Sequence, residues 1–152
     1  MIDQGALPET TLQISRRFRA PVERVFRAFT DPDELQRWYA LADDWETPVV
    51  EIDLRVGGRF RIGLRPPGRD TFYETGEYRE IVPNQRLVYT QVLHGAGEGV
   101  DHDGTLTTIE FIARGAETDV VITEGGFPSV TERDVHASGW PGFLDRLEAM
   151  LG

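Results

Sequence analysis

In two successive runs, 49–56 and 58–65, the apolar side chains of this chain recur at every second position around a glycine turn. A period of two places successive side chains on opposite faces, which is the pattern of a half-buried strand. "VVEIDLRV" sets Val50, Ile52, Leu54 and Val56 against Glu51, Asp53 and Arg55; "GRFRIGLR" sets Phe60, Ile62 and Leu64 against Arg59, Arg61 and Arg65. Keeping both apolar faces together pairs Val56 with Phe60 around Gly57-Gly58 and brings Glu51 opposite Arg65. Further strands are expected in "TFYETGEYREI" (71–81), "RLVYTQVL" (86–93), "GTLTTIEFIAR" (104–114) and "ETDVVITEG" (117–125). Short turns join antiparallel neighbours, and the apolar face of such a sheet needs a cover.

The ends of the chain supply one. "TTLQISRRFRA" (10–20) reads as a strand, and Val22, Val25, Phe26 and Phe29 then fall on one face of a helix. In "DPDELQRWYA", Asp31 can cap, Pro32 suits the first position and Glu34 completes a capping box. That predicts a second short helix over 32–39, with Leu35 and Trp38 turned inward. One long helix remains, opening at Ser129 with Glu132 as its capping partner and running to Leu151. The expected fold is α+β: six or seven antiparallel strands curved around a C-terminal helix, with two short helices after the first strand. Residues 1–9 read as a loose lead-in and 10–152 as a single domain.

Composition narrows the chemistry. The chain has no cysteine, which removes disulfides and thiolate catalysis, and its 16 basic residues are all arginine, which removes lysine Schiff-base chemistry. A net charge of −10 argues against nucleic acid or an anionic membrane as partner. No apolar run approaches the roughly 20 residues of a membrane span, and the N-terminus lacks a signal pattern, so a cytoplasmic location is expected. "GAGEG" (95–99) lacks the spacing and following helix of a dinucleotide loop. "DHDG" (101–104) has Ile112 where a calcium loop would need a glutamate. His94, His102 and His136 form no i, i+4 pair, and neither Ser129 nor Ser138 sits in a nucleophile elbow. No catalytic set, metal site or cofactor is assigned.

"FRAPVERVFRAFTDPDELQRWY", "DLRVGGRFRI", "TGEYREIVPNQRLVYT", "GTLTTIEF" and "SGWPGFLDRLEAML" together resemble the homologues of the activator of the 90-kDa heat-shock protein's ATPase. These belong to the START-like, helix-grip superfamily, also called SRPBCC. The resemblance runs from about Ile14 to Leu151. It implies a sheet gripping the last helix, with an internal cavity between them.

Along that last helix His136, Trp140, Phe143, Leu144, Leu147 and Leu151 share one face. Gly139, Pro141 and Gly142 interrupt it, and Pro141 cannot donate to the carbonyl of Ala137. The helix is therefore expected to kink at Pro141 or to restart with Ser138 as cap. The stripe either packs as plain core or roofs a hollow. On the second reading Trp140 lines a ligand cavity with Trp38, Phe60, Ile62, Tyr89, Phe143, Leu144 and Leu147, and polar contacts come from Tyr89, His136 or Glu110. Glu77 and Glu80 are weighed beside Glu110 as carboxylates whose pKa burial could raise. The function expected first is binding of a small hydrophobic molecule. The alternative is a protein-interaction module acting on a heat-shock chaperone. A cyclase- or hydrolase-like activity, known among superfamily relatives, has no constellation here to support it.

Overall fold

The computed structural model describes residues 8–97 and 100–152, with the backbone alone at 102 and 103. Most of the expected lead-in, Glu98 of "GAGEG" and the side chains of His102 and Asp103 lie outside the described residues.

Seven strands form one sheet: β1 (Leu12–Phe18), β2 (Glu46–Ile52), β3 (Arg59–Arg65), β4 (Phe72–Val82), β5 (Arg86–His94), β6 (His102–Arg114) and β7 (Glu117–Gly125). Their order is β1-β7-β6-β5-β4-β3-β2. Every neighbouring pair is antiparallel. The helices are α1 (Val22–Thr30), α2 (Pro32–Trp38) and α3 (Val130–Leu151). This is the α+β architecture that the period change and the single long helix predict, and the helix-grip fold that the resemblance implies, with the sheet curled into a half-barrel.

The caps work as the sequence implies. The Asp31 side chain accepts from the amides of Asp33 and Glu34, and Ser129 accepts from the amide of Glu132 at 3.2 Å. Each such cap contributes about 1 kcal/mol. Inward-facing residues of the strands, among them Phe18, Leu64, Leu87, Ile109 and Ile122, are almost fully buried. Phe26, Phe29, Trp38 and Phe111 pack edge-to-face with centroids 5.0–5.4 Å apart.

The hairpin β2–β3 departs from the expected register. Ile52, not Val56, pairs with Phe60, and Glu51 lies opposite Arg61, not Arg65. Both apolar faces still coincide, because the shift is an even number of residues. The cause is tertiary: the Gly57 amide donates to the Tyr78 carbonyl at 2.8 Å, and the Tyr78 amide donates to Gly58 at 2.9 Å. Residues 53–58 are thereby drawn off the ladder, and Leu54 and Val56 stand exposed.

Helix α3 runs unbroken through Pro141, and Ser138 donates its hydroxyl to the Val135 carbonyl rather than capping a new helix. The expected restart is corrected on that point. Gly142 has a packing reason: a Cβ there would sit 2.4 Å from the backbone oxygen of Leu41, so only glycine lets the α2–β2 connection cross so closely. One turn further along the same face, α3 sends Arg146 to the carbonyls of Trp38 and Arg37, each at 3.1 Å. A cation at the C-terminal end of α2 satisfies carbonyls that the helix itself leaves open.

Candidate functional site

Where α3 and the α2–β2 connection cross the open end of the half-barrel, they leave a chamber of about 610 Å³. Its walls are Leu41, Trp45, Leu64, Phe72, Leu93, Trp140 and Phe143, and Arg69, Asp70 and residues 95–97 line it as well. The volume falls in the range of small-molecule sites, about 300–1,000 Å³. The carboxylate of Asp101 gathers the amides of Gly95, Ala96 and Gly97 at 2.7–3.2 Å, and His136 Nε2 donates to the Val100 carbonyl at 2.9 Å. The β5–β6 loop is thus tied to α3 along one side of the chamber.

The floor is polar. Glu74 of β4, Gln91 of β5, Thr105 and Thr107 of β6 and Glu124 of β7 are all buried on the inner face, on four consecutive strands. The Tyr39 hydroxyl donates to both oxygens of Glu74, at 2.8 and 2.9 Å. Thr105 donates to Glu124 Oε2 at 2.8 Å, and the Trp140 indole donates to Glu124 Oε1 at 3.3 Å. Thr107 donates to Gln91 Oε1 at 3.0 Å. The residue that follows α2 and a residue of α3 therefore each lower one polar aromatic onto one carboxyl group. The Arg146 contacts hold the end of α2, and Thr47 donates to the Tyr39 carbonyl at 2.8 Å, which fixes where the phenol points.

Burial dominates the electrostatics. Withdrawal from water pushes the Glu74 carboxyl up to about 8; the Tyr39 hydrogen bond opposes this and the Glu124 charge adds to it. Glu124 is raised as well, again chiefly by burial, against the pull of Thr105, His136 and Trp140. Tyr39 and Tyr89 are held well above the usual phenol range by burial and by Glu74. The site can therefore hold a proton on Glu74 at neutral pH and surrender it when a charge-stabilising group arrives. Among the described residues no three of the histidines, aspartates and glutamates come together as a metal would require.

The structure distributes the residues singled out from sequence over four places. His136, Trp140 and Phe143 line the chamber. Phe60, Ile62 and Tyr89 instead border a narrow gap of about 30 Å³ that also touches Glu74. Trp38, Leu144 and Leu147 are core. Trp38 is wholly buried and donates its indole N–H to the Ala28 carbonyl at 2.8 Å, between α1 and α2. Glu110 is corrected: it shares the outer face with exposed Leu106 and Ile112, because Ile109 and Phe111 take the inner one. Glu77 and Glu80 lie near Arg79 and Arg86 at 3.7 and 3.6 Å.

The buried carboxylates were not those the sequence reading weighed. Glu124 follows Val120 and Ile122 at a spacing of two, and Glu74 precedes Tyr78 by four. Face assignment by period, applied without regard to polarity, points to both.

The family model described as "Activator of Hsp90 ATPase homolog 1-like protein" matches residues 19–152. Among solved structures, a protein from Chromobacterium violaceum superposes with a TM-score of 0.82 at 30% identity, covering 93% of this chain and 96% of that one. A protein from Rhizobium leguminosarum gives 0.76 at 31% identity, with 93% of each chain covered. A third, from Nitrosomonas europaea, gives 0.79 at 23% identity over 99% of this chain and 96% of that one, and speaks to the fold alone. The comparison with curated proteins gives no match. Among the described residues no helix is long and apolar enough to cross a membrane.

Proposed function

The chain belongs to the activator of Hsp90 ATPase homolog 1-like family, and from that premise we propose that it binds a small hydrophobic or aromatic molecule between the sheet and α3. The observation that carries this reading is the chamber of about 610 Å³, walled by Trp45, Phe72, Trp140 and Phe143. Interiors pack at the density of organic crystals and leave few voids larger than a water. Aromatic walls over a few convergent polar groups are the make-up of a small-molecule site.

The test is titration with the uncharged fluorophore N-phenyl-1-naphthylamine. One saturable site and a rise in Tm are expected, since a ligand at 100 times its Kd adds about 2.7 kcal/mol. Leu93→Trp, which fills the chamber from its wall, abolishes both. Absence of saturable binding, or equal binding by Leu93→Trp, overturns the reading.

The family description favours a second reading, contact with a heat-shock ATPase. Under it the protein raises ATP turnover of the cognate 90-kDa chaperone. No change at saturating protein removes it.

A further inference from the structure

We infer that the chamber takes a ligand bearing a protonated amine on an apolar, preferably aromatic frame, with the amine held by Glu74 and Glu124. This inference rests on the binding reading above and names the ligand class.

The polar floor is rich in acceptors and poor in cations. Glu74 and Glu124 are 3% and 1% exposed, and neither forms an ion pair within 4 Å among the described residues. An ionised carboxylate offers about four lone-pair positions. Glu74 receives one hydroxyl across its two oxygens, and Glu124 receives Thr105 and Trp140. Acceptor positions remain on Glu124, and on Glu74 once its proton is displaced. Gln91, 5% exposed, accepts the Thr107 hydroxyl at Oε1, and its Nε2 is itself a donor that adds nothing to the acceptor count. Buried polar groups in folded proteins are almost always satisfied by protein or water, and a donor seated on this floor takes the acceptor positions that Tyr39, Thr105 and Trp140 leave open.

A group that bonds to these acceptors must donate and must tolerate negative charge. An ammonium brings three donors and one positive charge. It would also lie among Tyr39, Trp45 and Trp140, whose ring faces attract cations. A carboxylate or phosphate ligand would instead face two glutamates, with Arg69 and His136 the basic side chains lining the chamber. The titratable groups turned toward Glu74 are Tyr39 from α2, Tyr78 and Tyr89 from the sheet, and Glu124, which also feels His136 from α3. None of them is a cation that could hold Glu74 ionised. The free protein keeps a proton on Glu74 at pH 7, because burial holds that carboxyl near 8. The incoming ammonium stabilises the carboxylate, and the displaced proton goes to solvent.

Three probes on one frame test this by calorimetry at pH 7: 2-naphthylmethylamine, 2-naphthylmethanol and 2-naphthoate. The amine is expected to bind at least tenfold tighter than the alcohol, and the naphthoate at least tenfold weaker. Amine binding releases about one proton, read from heats in phosphate and Tris, and alcohol binding releases none. In Glu74→Gln/Glu124→Gln the amine falls to the alcohol's affinity while the alcohol is unaffected. Parity of amine and alcohol in the wild type, preference for naphthoate, or no proton release overturns the inference and leaves the chamber reading standing. Binding of none of the three overturns both. The proton count needs no variant, so it decides the matter even if the double variant fails to fold.

Discussion

The hydroxyl of Tyr39, just past the end of α2, donates to both carboxylate oxygens of Glu74 on β4, at 2.8 and 2.9 Å. Of the influences on Glu74, this bond is the one that favours the charged form. Tyr39→Phe is therefore expected to raise the Glu74 pKa above its present value of about 8, and to cost about 1–2 kcal/mol through the lost bond. Carbon-detected NMR titration of the Glu74 carboxyl checks the direction, and a downward shift would contradict it.

Glu74 couples stability to pH with a definite sign. Its folded value of about 8 lies above the ordinary 4.5, so between the two the native state holds a proton that the unfolded chain has lost. Stability from this group is full below about 4.5 and drains away as pH rises toward 8. Glu124, also raised, acts in the same sense. Asp119, lowered to about 2 by Arg17 and Arg114, loses its contribution only in strong acid and does not disturb this window. Relative to Glu74→Gln, the wild type should lose on the order of 1.4 kcal/mol per pH unit across it. Urea unfolding of both proteins at pH 5, 6, 7 and 8 measures the difference, and parallel profiles would refute the assignment.

Two glycines of α3 should respond in opposite directions. Gly142→Ala drives a methyl to 2.4 Å from the Leu41 carbonyl oxygen and is expected to cost about 1–3 kcal/mol. At Gly139 the nearest atom is the Leu41 methyl at 3.7 Å, so Gly139→Ala should gain about 0.5–1 kcal/mol from helix propensity. Thermal unfolding of the two variants side by side reads the signs.

Leu144 and Leu147, 1% and 0% exposed, hold α3 onto the core and do not line the chamber. Leu144→Ala should cost about 2–5 kcal/mol and leave the dissociation constant for 2-naphthylmethanol within twofold. A large loss of affinity with an intact fold would place Leu144 in the site after all.

The architecture was legible because its signals are local. Alternation of Phe60, Ile62 and Leu64 marks a strand whatever surrounds it, and Asp31 and Ser129 cap helices a few residues away. The site was legible only in part, because it is made of non-local facts. Trp140 could be placed on a helix face, but whether that face met a side chain or a hollow depended on Leu41, about a hundred positions earlier. Glu74 and Glu124 were hidden by their own chemistry: a carboxylate on a strand ordinarily marks the water side, and here it marks the inside. The β2–β3 hairpin misled for a similar reason, since the bonds of Gly57 and Gly58 to Tyr78 belong to a third strand.

The three tryptophans supply built-in reporters for the central claim that the chamber beneath α3 is where a ligand sits. Trp140 donates its indole N–H to Glu124 inside the chamber, while Trp38 donates to Ala28 in the core. Proton–nitrogen NMR spectra should therefore be recorded as 2-naphthylmethanol is added to saturation. The account predicts that the Trp140 indole resonance moves and the Trp38 resonance stays; an unmoved Trp140 at saturation, or equal movement of the two, would contradict it.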